Sequence, residues 1–284
     1  MQRFGAEDGV KLAYRDDGQG LPLLALAGLT RDGRDFDYLA RHLPPDIRLI
    51  RLDSRGRGGS DWAASETYNV EQEARDCMAL LDHLGLARVA ILGSSRGGLL
   101  GMVIAATQKQ RLLGLCLNDV GPVLERDGLL RIGTYVGIEP SVATLNEIAE
   151  RMQSAMPGFD HVPDMRWQEE TVRHYQQLEG RVGLTYDPAL RIGFDAAMAG
   201  PIPPAWSLFD ACDGLPLALI HGANSDVLAT ETVAEMRRRR ADMLVCTVEG
   251  RGHIPFLDEP TAVVCLRDWL AAIQKQACQW LALT

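Results

Sequence analysis

At 284 residues the chain fits one large domain, or one domain carrying a substantial insertion. Hydrophobic residues make up 46% and charged residues 24%, which excludes a disordered or collagen-like chain and leaves room for a sizeable core. A net charge of −9 argues against nucleic-acid and anionic-membrane partners, which attract basic surfaces.

No apolar run reaches the ~18 residues that span a bilayer, and Arg3, Glu7, Asp8 and Lys11 interrupt the first residues, so no signal peptide is expected. The one dense basic run, Arg237–Arg240, reads as the solvated face of a helix. Six cysteines (Cys77, Cys116, Cys212, Cys246, Cys265 and Cys278) are scattered without a CxxC pair or a histidine at metal-ligand spacing. Several lie in apolar runs, where a thiol behaves as a small core residue, so reduced thiols and a cytoplasmic location are expected.

In chain order, short β-branched apolar runs alternate with helical patterns, which predicts an α/β fold with a mostly parallel central sheet flanked by helices. Strands are predicted at 2–6, 10–14, 23–27, 47–52, 89–92, 113–118, 217–220 and 243–248. Leu23-Leu24-Ala25-Leu26 and Val89-Ala90-Ile91-Leu92 lack polar alternation and read as strands buried on both faces. Between the fourth and fifth of these, residues 70–84 carry Val70, Ala74, Cys77, Met78, Leu81 and Leu84 at helical spacing. Asn69 caps that helix, Glu71 and Glu73 favour its positive end, and Gly85 ends it. After Asn118 the rhythm stops for roughly ninety residues, far beyond ordinary loop lengths. The expected organisation is therefore a core of residues 1–121 and 205–284, with a mostly helical cap inserted at 122–204.

The chemistry centres on Gly93-Ser94-Ser95-Arg96-Gly97, a G-x-S-x-G placed after a strand and before a helical stretch. The pentapeptide alone is a weak signal. Its context is not, because a sharp strand–turn–helix needs residues without bulk on both sides of a strained nucleophile. Ser95 is in register for that role, and Ser94 is not. A serine hydroxyl needs a base, and the base needs an orienting carboxylate. His253 lies in a Gly-flanked loop after the last strand, and Asp226 lies in the loop after the preceding one. The chain order Ser95, Asp226, His253 is the one this topology uses. Asp119, which also follows a strand, is the alternative acid. Among the other histidines, His221 is expected to bond backbone, His42 and His83 sit in helical patterns, and His161 and His174 belong to the cap.

Backbone donors for a developing oxyanion are expected from the N–H groups of Arg96, after the nucleophile, and Leu29, in the loop after the strand at 23–27. Arg96 places a cation at a helix start, against the dipole. It either turns away to an acid such as Asp119 or, with Arg31, receives a substrate carboxylate.

These segments resemble the α/β-hydrolase superfamily along the whole chain, and in particular its capped bacterial serine hydrolases. Asp53-Ser54-Arg55-Gly56-Arg57-Gly58-Gly59-Ser60-Asp61 is similar to its D-x-R-G-x-G-x-S-D segment, and Gly252-His253-Ile254-Pro255 with Leu257-Asp258-Glu259-Pro260 to its histidine loop. The chain departs from the family in having Ala27-Gly28 where His-Gly is usual, and Arg at position 96. A serine nucleophile argues against haloalkane dehalogenase and epoxide hydrolase chemistry, which use aspartate in this fold. The resemblance implies a serine hydrolase acting on a small-molecule carboxylic ester, with no cofactor and no metal. Lactone cleavage, carbon–carbon cleavage of a ring-cleavage-type product, and a non-catalytic receptor of the same fold are the alternatives.

Overall fold

The computed structural model describes residues 1–283, with side chains described through Gln276, so Cys278 lies outside the described side chains. Eight strands form one sheet: β1 (Gln2–Gly5), β2 (Lys11–Asp17), β3 (Leu21–Leu26), β4 (Ile47–Leu52), β5 (Val89–Ser94), β6 (Leu112–Asn118), β9 (Leu217–Gly222) and β10 (Leu244–Val248). Their spatial order is β1-β2-β4-β3-β5-β6-β9-β10. All neighbours from β4 to β10 run parallel, while β1 and β2 add an antiparallel edge. The unbroken apolar runs of β3 and β5 are explained by burial on both faces. One apolar cluster includes Leu24, Leu26 and Ile91 with Cys77, Leu81 and Met102, and the other joins Leu23, Ala25 and Leu92 to Phe36, Leu266 and Trp269.

The helices on these faces are α1 (Asp37–Ala40), α2 (Val70–His83), α3 (Arg96–Gln108), α8 (Trp206–Asp210), α9 (Thr230–Arg239) and α10 (Pro260–Leu283). In α2 the Asn69 side chain accepts from Gln72 N at 2.8 Å, a cap worth about 1 kcal/mol. The same helix buries Glu73 and Asp76, each matched to an arginine of the 53–61 segment. Asp76 takes Arg55 in a bidentate pair, both bonds at 2.7 Å. The chain runs from β3 to β4 on one side of β3 and then crosses to β5 on the other. This reversal opens a crevice above the carboxyl ends of β3 and β5, the usual place for a ligand in an open parallel sheet.

Between β6 and β9 the chain leaves the sheet and builds α4 (Arg126–Gly133), α5 (Leu145–Ala155), α6 (Asp164–His174) and α7 (Leu190–Met198). It also forms an antiparallel hairpin, β7 (Tyr175–Leu178) with β8 (Arg181–Leu184), which the sequence does not announce. Tyr175-Gln176-Gln177-Leu178 lacks β-branched residues. Gly180, at φ +68°, supplies the tight turn.

The insertion docks on the 53–61 segment through Gly58 N to Thr185 O (3.1 Å) and Asp187 N to Gly56 O (2.8 Å). Ion pairs reinforce it, joining Arg31 to Glu170, Arg131 to Asp226 and Arg166 to Asp258. At one corner Phe256 of the core packs on Phe159 and Trp167 of the insertion. No described helix is long and apolar enough to cross a membrane.

Candidate active site

Ser95 sits at the turn between β5 and α3 with φ 50° and ψ −117°, a conformation that a residue with a Cβ adopts only when its surroundings enforce it. The enforcement is steric. A Cβ on Gly97 would lie 2.0 Å from Leu26 O, and one on Gly93 would lie 2.4 Å from the Gly97 carbonyl. Only glycine at both positions lets helix α3 approach β3 and β5 closely enough to lift the Ser95 hydroxyl above the sheet. Ser94 points elsewhere, and its hydroxyl accepts from Asn118 Nδ2 at 3.0 Å.

His253 faces Ser95 across the crevice, with Nε2 2.9 Å from Ser95 Oγ. Its Nδ1 lies 2.8 Å from Asp119 Oδ2. Asp226, the carboxylate expected there, is elsewhere: it pairs with Arg131 of α4 at 2.5 and 2.9 Å. The place of each acid relative to the serine strand accounts for this correction, since β6 pairs directly with β5. Asp119 directly follows β6, which lies between β5 and β9, whereas Asp226 stands four residues beyond the end of β9. Asp119 has φ 54° and no solvent exposure. Three donors hold its carboxylate: Gly222 N on Oδ1 at 2.8 Å, and Ser225 Oγ at 2.6 Å and the imidazole on Oδ2. Burial would raise the Asp226 carboxyl, but Arg131 holds it below the usual carboxylate range. His221 bonds the Leu228 carbonyl at 3.0 Å, so it is a backbone-bonded histidine as its position suggests.

Gly28 follows the end of β3, and a Cβ there would lie 3.7 Å from Ser95 Cβ. The next residue, Leu29, lines the cavity at Ser95, and Arg96 directly follows Ser95 at the start of α3. Among the described residues the backbone N–H of neither has an acceptor. The Arg96 side chain turns away from the crevice. It donates to both oxygens of Glu73 (2.8 and 3.0 Å) and to Tyr68 O (3.2 Å), so its partner is Glu73 rather than Asp119. Glu73 also accepts from Arg57 Nη1 at 3.0 Å, and Arg57 Nε donates to Leu29 O at 2.8 Å. One buried carboxylate thus holds Arg96 directly and Leu29 through Arg57. Burial opposes the ionised Glu73, but Arg57 and Arg96 outweigh it and hold its pKa low. Residue type gives no hint of this bridge, since a glutamate in the first turn of a helix ordinarily serves the dipole.

Arg31 lines the crevice but is engaged with Asp35 (3.2 Å), Glu170 (3.4 Å) and His174 (2.8 Å). Asp53 supports the loop from below, accepting from Gly33 N (2.8 Å) and Gly59 N (2.9 Å). A cavity of about 40 Å³ lies against Ser95, His253, Gly28 and Leu29. It shares Thr30, Arg31, Tyr135 and Met156 with a larger chamber of about 350 Å³ under the insertion. Among the described residues no cluster of His, Cys, Asp or Glu is arranged to hold a metal ion.

Residues 23–265 match the model of the alpha/beta hydrolase family, and the chain belongs to that family. It is 36% identical over 251 residues to the 3-hydroxybutyrate-oligomer hydrolase of Cupriavidus necator, covering 85% of each chain. Among solved structures, an alpha/beta hydrolase from Novosphingobium aromaticivorans superposes with a TM-score of 0.89 at 34% identity, covering 95% of this chain and 97% of that one. E-2-(acetamidomethylene)succinate hydrolase shares the fold, with a TM-score of 0.82 at 19% identity over 95% and 98% of the two chains.

Proposed function

We propose that the chain is a serine hydrolase that cleaves carboxylic esters through an acyl-enzyme, with Ser95 as nucleophile, His253 as general base and Asp119 as the orienting carboxylate. The observation that carries this reading is the continuous relay from Asp119 Oδ2 through both imidazole nitrogens to Ser95 Oγ, with links of 2.8 and 2.9 Å. Asp119 accepts from Nδ1–H, which leaves Nε2 as the acceptor for the serine proton. Ser95 Oγ attacks the ester carbonyl as its proton passes to Nε2, and Asp119 stabilises the imidazolium. The tetrahedral oxyanion is held by the N–H groups of Leu29 and Arg96. Collapse expels the alkoxide, which takes the proton from Nε2, and a water repeats the sequence on the acyl-enzyme to release the acid and free Ser95.

The insertion acts as a cap in this scheme, since its residues Ile132, Tyr135 and Met156 share the small cavity with Ser95 and exclude water from it. An ester is favoured because a relative 36% identical is named for hydrolysing hydroxybutyrate oligomers. The test is stoichiometric labelling of Ser95 by a fluorophosphonate, together with turnover of p-nitrophenyl butyrate that survives exhaustive chelation. Ser95→Ala is expected to remove both, with kcat falling on the order of 10⁴–10⁶. Turnover by Ser95→Ala near that of the unaltered protein would refute the assignment.

A further inference from the structure

The chamber under the insertion is large beside the cavity at Ser95, and its walls are unevenly charged. Three arginines line it, Arg31, Arg131 and Arg151, against a single acidic residue, Glu139. Glu139 is engaged with Arg181 at 2.8 Å. The carboxylates that balance the first two arginines, Asp35, Glu170 and Asp226, are not among the lining residues and stand behind them. Arg151, on α5, has no ion-pair or side-chain hydrogen-bond partner among the described residues. Ile148, Met152 and Met156, from or just after the same helix, give the chamber an apolar side. A molecule filling both cavities would place an acyl bond at Ser95, pass Tyr135 and Met156 at the neck, and end beside Arg151.

We propose that the chamber is a carboxylate subsite, with Arg151 as its receiving cation and Arg131 beside it, so that the preferred substrates are monoanionic esters whose free carboxylate lies away from the scissile bond. Short linear oligoesters of hydroxyacids have this form: an ester, a short apolar spacer and one terminal carboxylate. The inference rests on the serine hydrolase reading above and gives that site its substrate class. A guanidinium holds such a carboxylate through planar, charge-assisted hydrogen bonds, and it meets little competition here because Glu139, the one acid in the lining, is already paired with Arg181. A neutral ester of the same length fills the same space without that contact.

The experiment compares kcat/KM for the linear dimer and trimer of 3-hydroxybutyrate as free acids and as their methyl esters. The unaltered protein is expected to prefer the acids by about tenfold to a hundredfold, the worth of one hydrogen bond to a charged group. In Arg151→Met that ratio is expected to fall close to one, mostly through KM, and Arg151→Lys to restore part of it. Arg131→Met, which also leaves Asp226 without its cation, is expected to lower the ratio as well. A ratio near one in the unaltered protein, or a ratio that survives Arg151→Met in protein with an unchanged circular dichroism spectrum, would overturn the subsite while leaving the hydrolase reading intact. Failure to turn over any of the four compounds, with no fluorophosphonate label on Ser95, would overturn both.

Discussion

Replacing Asp119 by asparagine removes a charge without changing the shape of the side chain, so its effect can be followed atom by atom. Three donors converge on the two carboxylate oxygens: Gly222 N–H on Oδ1, and Ser225 Oγ and His253 Nδ1 on Oδ2. An asparagine has one oxygen and one NH₂, and it must choose an orientation. The Gly222 N–H is fixed by the backbone and cannot become an acceptor; facing an NH₂ would leave it buried and unsatisfied, at about 1–3 kcal/mol. The amide oxygen is therefore expected on that side and the NH₂ toward His253. The imidazole can answer by shifting its proton to Nε2, and the Ser225 hydroxyl by rotating. That tautomer presents an N–H to Ser95 where an acceptor is required. The expected loss in kcat is about 10⁴, as in the worked serine-protease case, or about 5.5 kcal/mol in barrier.

Asp226→Asn is the paired experiment. It breaks the bond pair with Arg131 but leaves the relay at His253 untouched, so kcat is expected to fall by no more than about tenfold. The assay is p-nitrophenyl butyrate turnover at pH 8, with thermal melts to show that both proteins fold. A loss of about 10³ or more in Asp226→Asn, with Asp119→Asn within tenfold of the unaltered protein, would refute the reasoning.

Glu73→Gln leaves Arg57 and Arg96 buried without their shared counter-ion, and a loss of about 3–5 kcal/mol is expected in urea titrations; a change under 1 kcal/mol would show that the bridge is not needed. Gly97→Ala places a methyl group 2.0 Å from Leu26 O and is expected to cost at least about 3 kcal/mol and most activity, so a variant with an unchanged melting temperature would contradict the close approach of α3 to β3. Acid stability should carry the mark of Asp35. Burial would raise its carboxyl, but Arg31 and His174 bring it down to about 2 from an ordinary 3.8. A depressed carboxyl contributes stability above its unfolded pKa and loses it as pH falls through the folded one. Up to about 2 kcal/mol should therefore vanish between pH 4 and pH 2, and Asp35→Asn should flatten that limb of the pH–stability curve; an unaltered limb would deny the linkage.

The parallel sheet was legible because burial on both faces leaves runs such as Leu23-Leu24-Ala25-Leu26 without polar residues. The α2 helix was legible because its apolar residues recur at helical spacing between a cap and a glycine. Ser95 and His253 stand out because strand, turn and glycine must coincide around them. The acid did not, since both Asp119 and Asp226 follow strands and β9, the strand before Asp226, is the one beside β10; only the folded contact of His253 Nδ1 with Asp119 Oδ2 at 2.8 Å tells them apart. The partner of Arg96 was equally out of reach. Glu73 is 23 residues distant, and its burial is settled by tertiary packing rather than by helix periodicity. The hairpin β7–β8 was missed because its stability comes from the insertion, with Val182 N bonded to Val142 O at 3.2 Å, rather than from strand propensity in Tyr175–Leu178.

The seam between insertion and core has two unlike ends. At one corner Phe256 meets Phe159 and Trp167 in an aromatic contact. Toward the chamber Arg131 pairs with Asp226 and about a fifth to a third of each side chain stays in water, whereas Arg166, paired with Asp258, lies over the Phe256 ring at 4.8 Å and belongs to the aromatic corner. Salt weakens such pairs, because the Debye length shrinks from about 10 Å at 0.1 M to about 3 Å at 1 M, while apolar packing is undiminished. Ionic strength is therefore expected to act unevenly on this seam: it weakens the Arg131–Asp226 side and leaves the aromatic packing of Phe256, Phe159 and Trp167 in place.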